Sequence, residues 1–146
     1  MKKGIALAFV LLGILNFHAA TAQVITGDSI FESLSSEAGN PVRGRAIVAS
    51  RQTGLCLLCH NGPFPEERFQ GNLAPELTAS VARLNAPQLR ARIVNAAHFN
   101  PQTIMPAYYE TKHLNRVAPK FVGQTILSGQ EIEDVIVFLL TLNNPN

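Results

Sequence analysis

Two thiols and an imidazole stand together at Cys56-Leu57-Leu58-Cys59-His60, and these are the chain's two cysteines. Two cysteines three residues apart, followed at once by histidine, form the c-type haem attachment motif. The sulfurs reach the two vinyl groups of one porphyrin as thioethers, and the next imidazole lies beneath the iron as its proximal ligand. Two other chemistries use similar spacing. A thioredoxin-like redox disulfide needs both thiols but has no use for His60. A zinc site needs further thiolate or imidazole donors, and no third cysteine exists. One covalent haem c is the expectation that uses all three groups.

The ligand on the other side of the iron decides between electron transfer and binding of a small molecule. The first residues narrow the choice. Lys2 and Lys3 precede an apolar run from Gly4 to Leu15, and Ala19-Ala20-Thr21-Ala22 follows. This is the pattern of a secretory signal peptide cleaved after Ala22, with Gln23 as the new N-terminus. A membrane anchor needs about 20 apolar residues, and Asn16 and His18 interrupt the run. Cleavage removes Met1 and His18, which leaves Met105, His98 and His113 as distal candidates. Met105 is the expected ligand, because Pro106 after it removes a backbone donor and stiffens the loop. A thioether leaves no open site and favours the ferrous state relative to two histidines, which suits electron transfer. A gas-binding haem would need that site open.

Lys2 and Lys3 are two of the 12 basic residues, and all 10 acidic residues lie after Ala22, so the mature balance is 10 minus 10, or zero. No polybasic run is present to neutralise phosphates, which excludes nucleic acid as a partner and gives the mature form no membrane attachment. Lys112 and Lys120 are the lysines left, against eight arginines. Protein partners are therefore expected to be held by apolar or arginine contacts.

The remaining 146 minus 22, or 124, residues suit one domain. Residues 23–40, with Thr26, Gly27, Asp28, Ser29, Ser33, Ser35, Ser36, Gly39 and Asn40, read as an irregular leader arm, either loose or pinned by a partner. Residues 41–146 form the domain proper. Gly44, Ile47, Val48 and Arg51 place one stripe on a helix from Val42 to Gln52 that stops at Gly54. Asn85 caps a second helix, with Pro87 in its first turn, Gln88 three residues after the cap, and Leu89, Ile93, Ala96 and Ala97 on one face. Ser128 and Glu131 make a capping box for a third, in which Ile132, Val135, Ile136, Leu139 and Leu140 repeat at helical spacing through Leu142. No stretch alternates as a strand does. Long loops run over Asn61–Leu77 and Phe99–Gly123, and loops of that length in a small domain wrap or do something.

The order helix, Cys-x-x-Cys-His, loop, Met-Pro, amphipathic last helix resembles the class I cytochrome c fold: all-α, three to five helices wrapped around one covalent haem with long loops. Gly44 and Phe138 suit the close crossing of first and last helices in that fold. Four segments narrow the resemblance: Gly44-Arg45-Ala46-Ile47-Val48; Phe69-Gln70-Gly71-Asn72-Leu73-Ala74-Pro75; Met105-Pro106-Ala107-Tyr108-Tyr109; and Asn115-Arg116-Val117-Ala118-Pro119-Lys120-Phe121 continuing into Gly129-Gln130-Glu131-Ile132-Glu133-Asp134-Val135. From Pro41 to Leu142 the chain resembles the X subunit of the Sox sulfur-oxidation cytochrome.

That resemblance implies a periplasmic heterodimer with a Sox A subunit acting as an L-cysteine S-thiosulfotransferase. Thiosulfate is joined oxidatively to a cysteine of the Sox YZ carrier, and two electrons leave through c-type haems to a downstream c-type acceptor. Cys56 and Cys59 then hold haem, His60 and Met105 ligate iron, and the catalytic cysteine belongs to the partner. The chain departs from the longest members in lacking an extra cysteine pair, so no disulfide holds its arm. A free diffusible electron shuttle is the alternative. Arg51 or Arg116 could pair with a haem propionate, Tyr108 and Tyr109 could pack on the haem or line the dimer contact, and the Pro75 carbonyl could orient His60.

Overall fold

The computed structural model describes residues 23–112 and 114–143; the expected signal segment 1–22 and His113 lie outside the described residues. Among the described residues there are four α-helices and no strand, only an isolated bridge between Thr26 and Ser29. None of these helices is long and apolar enough to cross a membrane.

Helix α1 spans Pro41–Ala49 and starts where Asn40 accepts hydrogen bonds from the Val42 and Arg43 amides. Proline fits its first position, where no intrahelical donor is needed. The helix ends earlier than the apolar spacing suggests: the Ser50 hydroxyl accepts from the amides of Gln52 and Thr53 and turns the chain before Arg51 can extend the stripe. Helix α2, Leu77–Val81, is a five-residue element that starts where the Asn61–Leu77 loop ends, in a stretch given no helix from the sequence, and is capped by the Glu76 carboxylate on the Ala79 amide. Helix α3, Ala86–Val94, carries the full Asn85–Gln88 capping box. Asn95 breaks it, so Ala96 and Ala97 sit in a separate 3₁₀ turn, Ala96–His98, rather than on the helix face. Helix α4, Gly129–Thr141, opens on the Ser128–Glu131 box.

The other three helices all pack on α4. The approach of α1 is closest at Gly44, where an added Cβ would stand 2.0 Å from the Asp134 carbonyl oxygen and 2.8 Å from Phe138 Cβ. Phe138 in turn meets Phe64 at 5.7 Å between ring centroids. Val48, Ile132 and Ile136 are essentially inaccessible at this seam.

Two adjacent carboxylates on α4 fasten the rest. Glu133 forms a buried two-pronged pair with Arg90 of α3 at 2.7 and 2.8 Å, and accepts the Leu34 amide. Arg90 also donates to the Ile30 carbonyl at 2.7 Å. Asp134 takes Arg43 of α1 in the same two-pronged way and the Asn40 amide at 2.7 Å. The segment 23–40 is thus irregular yet tied to its own domain, with Ile30 1% exposed. Burial pushes both carboxyls up, but the arginines and backbone amides outweigh it and hold Glu133 below 4.5 and Asp134 below 3.8.

A carboxyl whose folded value is depressed stabilises the fold above its unfolded value, and that stability is lost as the pH falls through the folded value. The stability contributed by Glu133 therefore begins to fall below about pH 4.5. Glu133→Gln leaves Arg90 buried against a neutral partner and is expected to cost about 3 kcal/mol at pH 7, with a shallower acid limb; a denaturant series from pH 3 to 7 that finds the variant within 1 kcal/mol of the parent contradicts this. Gly44→Ala is expected to cost about 3 kcal/mol by forcing the helices apart, whereas Val42→Ala on the exposed face of α1 changes unfolding free energy by about 0.5 kcal/mol or less.

Candidate cofactor site

The turn that carries the two cysteines is built from a backbone reversal. Gly54 is buried at the end of the α1 turn, and Leu55 adopts φ 60, a left-handed conformation that costs a non-glycine residue about 1 kcal/mol. Cys56–Leu58 then forms one 3₁₀ turn, with Leu57 1% exposed in the core. The Cys56 carbonyl accepts both the Cys59 amide at 3.2 Å and the His60 amide at 2.9 Å. This closes the motif so that Cys56, Cys59 and His60 line one cavity of about 550 Å³.

Each helix contributes an apolar side chain to the same cavity: Val48 from α1, Leu77 from α2, Ile93 from α3, and Val135 and Leu139 from α4. Met105 lines it too, from the loop after α3. Its amide donates to the Thr103 hydroxyl at 3.1 Å, which shapes the chain just before Pro106. His98 is exposed, lies edge-on to Phe99 and does not line the cavity.

His60 Nδ1 lies 2.6 Å from the Pro75 carbonyl. A carbonyl only accepts, so Nδ1 carries the proton and Nε2 keeps its lone pair for another partner. The loop between them is stitched by Gln70, whose oxygen accepts the Gly62 amide at 2.7 Å and whose nitrogen donates to the carbonyls of Phe64 and Glu67. Gly71 has to be glycine for the same reason of space: a Cβ there would lie 2.3 Å from the Leu58 carbonyl and 2.6 Å from Cys59 backbone.

Both thiols are free, and burial pushes the Cys56 thiol up to about 11. Burial also raises the Tyr108 phenol above its ordinary value, and its hydroxyl donates to the Gly54 carbonyl at 2.6 Å. Tyr108 thus packs into the cavity wall, while Tyr109 is half-buried beside it, its amide donating to Val94. Neither Arg51 nor Arg116 lines the cavity. Arg51 instead donates to the Phe69 carbonyl and faces Glu67 at 3.9 Å. Among the described residues no cluster of three or more His, Cys, Asp or Glu side chains is gathered as a bare metal ion requires. An apolar chamber with two free thiols, one imidazole offering Nε2 and one thioether matches the donor set that a covalently held porphyrin iron uses.

Three residues near the site were given no role from the sequence: Thr103, and Gln70 and Gly71, which stood there only within a segment of the family resemblance. Their neighbours in the chain gave no periodicity, and their roles come from backbone groups that only the folded loop presents.

A scan against protein-family models and a search of curated protein sequences return no match. Among solved structures, the crystal structure of SoxXA from P. pantotrophus superposes at a TM-score of 0.75 and 33% sequence identity, over 83% of this chain and 94% of that one. The likeness spans nearly the whole of the matched chain, and the two share the small cytochrome c fold. The chain belongs to the family of the X subunit of the Sox sulfur-oxidation cytochrome.

Proposed function

We propose that Cys56 and Cys59 bind one haem c covalently, that His60 and Met105 are its axial ligands, and that the chain is the electron-transfer subunit of a thiosulfate-oxidising Sox AX heterodimer. One observation carries this reading: all four side chains line a single, mostly apolar cavity. The haem, once attached, supplies one-electron redox chemistry. The chain's own groups bind and orient it. The Pro75 carbonyl accepts from His60 Nδ1 and leaves Nε2 as the ligating nitrogen, Thr103 holds the Met105 backbone, and Val48, Ile93, Val135 and Leu139 exclude water.

Both cysteines are consumed as thioethers, so no nucleophile remains here and the catalytic cysteine is expected on the Sox A subunit. In the reaction assigned to the complex, a sulfur–sulfur bond forms between thiosulfate and a cysteine thiol of the Sox YZ carrier, one proton leaves, and two electrons depart to a downstream c-type acceptor. The SoxXA neighbour supports a Sox A partner. Export through residues 1–22 and a periplasmic location complete the proposal, since c-type haem is attached on that route.

Co-expression with a Sox A subunit and purification through this chain is expected to recover a one-to-one complex whose haems are reduced by thiosulfate in the presence of Sox YZ; a monomer indifferent to Sox A sinks the subunit reading. The ferrous protein is expected not to bind carbon monoxide, and Met105→Ala to bind it readily. Carbon monoxide binding by the parent chain rules out Met105 as a tight ligand.

A further inference from the structure

Tyr108 is three residues past Met105 and 4% exposed, and its bonds run in three directions. Its amide donates to Ile93 of α3 at 3.1 Å, and its carbonyl accepts the amides of Ile126 and Leu127 at 2.9 and 3.2 Å. Its hydroxyl crosses to the Gly54 carbonyl, 54 residues away in sequence. That carbonyl stands two residues before Cys56, whose sulfur lies 3.4 Å from it. Among the described residues, the donors to this buried oxygen are the Tyr108 hydroxyl and the Cys56 thiol. A thioether has no S–H. Once Cys56 is alkylated, Tyr108 alone satisfies the Gly54 carbonyl.

We infer that Tyr108 is a positioning residue for Met105: its hydroxyl ties the methionine-bearing segment to the backbone that presents Cys56, and so sets how firmly Met105 occupies its axial position. This rests on the haem reading above. The tether joins the two loops that must hold still on either side of one cofactor, and neither helix packing nor Pro106 makes that connection.

The test uses the exported, haem-loaded full chain and imidazole as the competing ligand for the ferric protein. Tyr108→Phe removes the donor and leaves the ring, stranding a buried carbonyl. The variant is expected to keep its covalent haem, to show a weakened far-red charge-transfer band of methionine ligation, and to bind imidazole about tenfold more tightly than the parent. Ile30→Ala, which empties a buried position in the arm 23–40 that does not line the cavity, is the control for global loss of stability and is expected to leave imidazole affinity within twofold. Replacing Tyr108 by 3-fluorotyrosine, a stronger donor of nearly the same shape, is expected to weaken imidazole binding and serves if the phenylalanine variant does not fold. Unchanged affinity in the Tyr108→Phe or fluorotyrosine protein, or an equal change in Ile30→Ala, overturns the proposal. Absence of the methionine band in the parent chain overturns the ligand reading itself, and the tether with it.

Discussion

The cavity depends on how closely α1 and α4 approach at Gly44. With a hydrogen in place of a side chain, the Asp134 carbonyl comes within 2.0 Å of where a Cβ would be, and the two helices cross backbone against backbone. Val48 one turn later is buried, as are Ile132, Val135 and Ile136 of α4, and close packing of such a seam resists adjustment. The turn after α1 delivers Leu55 and Cys56 to the chamber, so any shift of α1 on α4 moves Cys56 relative to the wall formed by Val135 and Leu139.

Around that seam the loops are held by side chains bonding to backbone rather than by regular structure. Gln70 closes the segment after His60, Pro75 receives the imidazole, Thr103 takes the Met105 amide, and Tyr108 reaches Gly54. A chain with four short helices and long loops has many amides and carbonyls without ladder partners, and each left buried and unpaired is costly. The polar residues scattered through the loops are the partners these groups use.

Much of this was legible where the physics is local. The Asn85–Gln88 and Ser128–Glu131 boxes act over three residues, and the Cys-x-x-Cys-His spacing carries its own chemistry. The Asn40-Pro41 cap of α1 was equally local and passed unread, because Asn40 sat at the end of a polar stretch. Helix α2 is too short to show a period. The arm 23–40 looked polar throughout, yet Ile30 is in the core, since its burial depends on Arg90 and Pro87 sixty residues on. Glu133 and Asp134 were given no role from the sequence; only the fold brings Arg90 and Arg43 to them. Met105 emerged by elimination among few candidates, and the structure adds that it lines the cavity whereas His98 does not.

The two arginine–carboxylate clasps have a consequence for the order of events in assembly. Arg43 and Asp134 are 91 residues apart, Arg90 and Glu133 are 43 apart, and the Leu34 amide that Glu133 also accepts is 99 residues away. Closing such long loops carries a large entropic cost before any contact rewards it, so pairings of this range slow folding. The short turn holding Cys56, Cys59 and His60 can form on its own scale, while the α4 wall arrives only when the C-terminal residues do. A chain emerging in an extended state therefore presents its two sulfurs openly, and the enclosure shuts over them last.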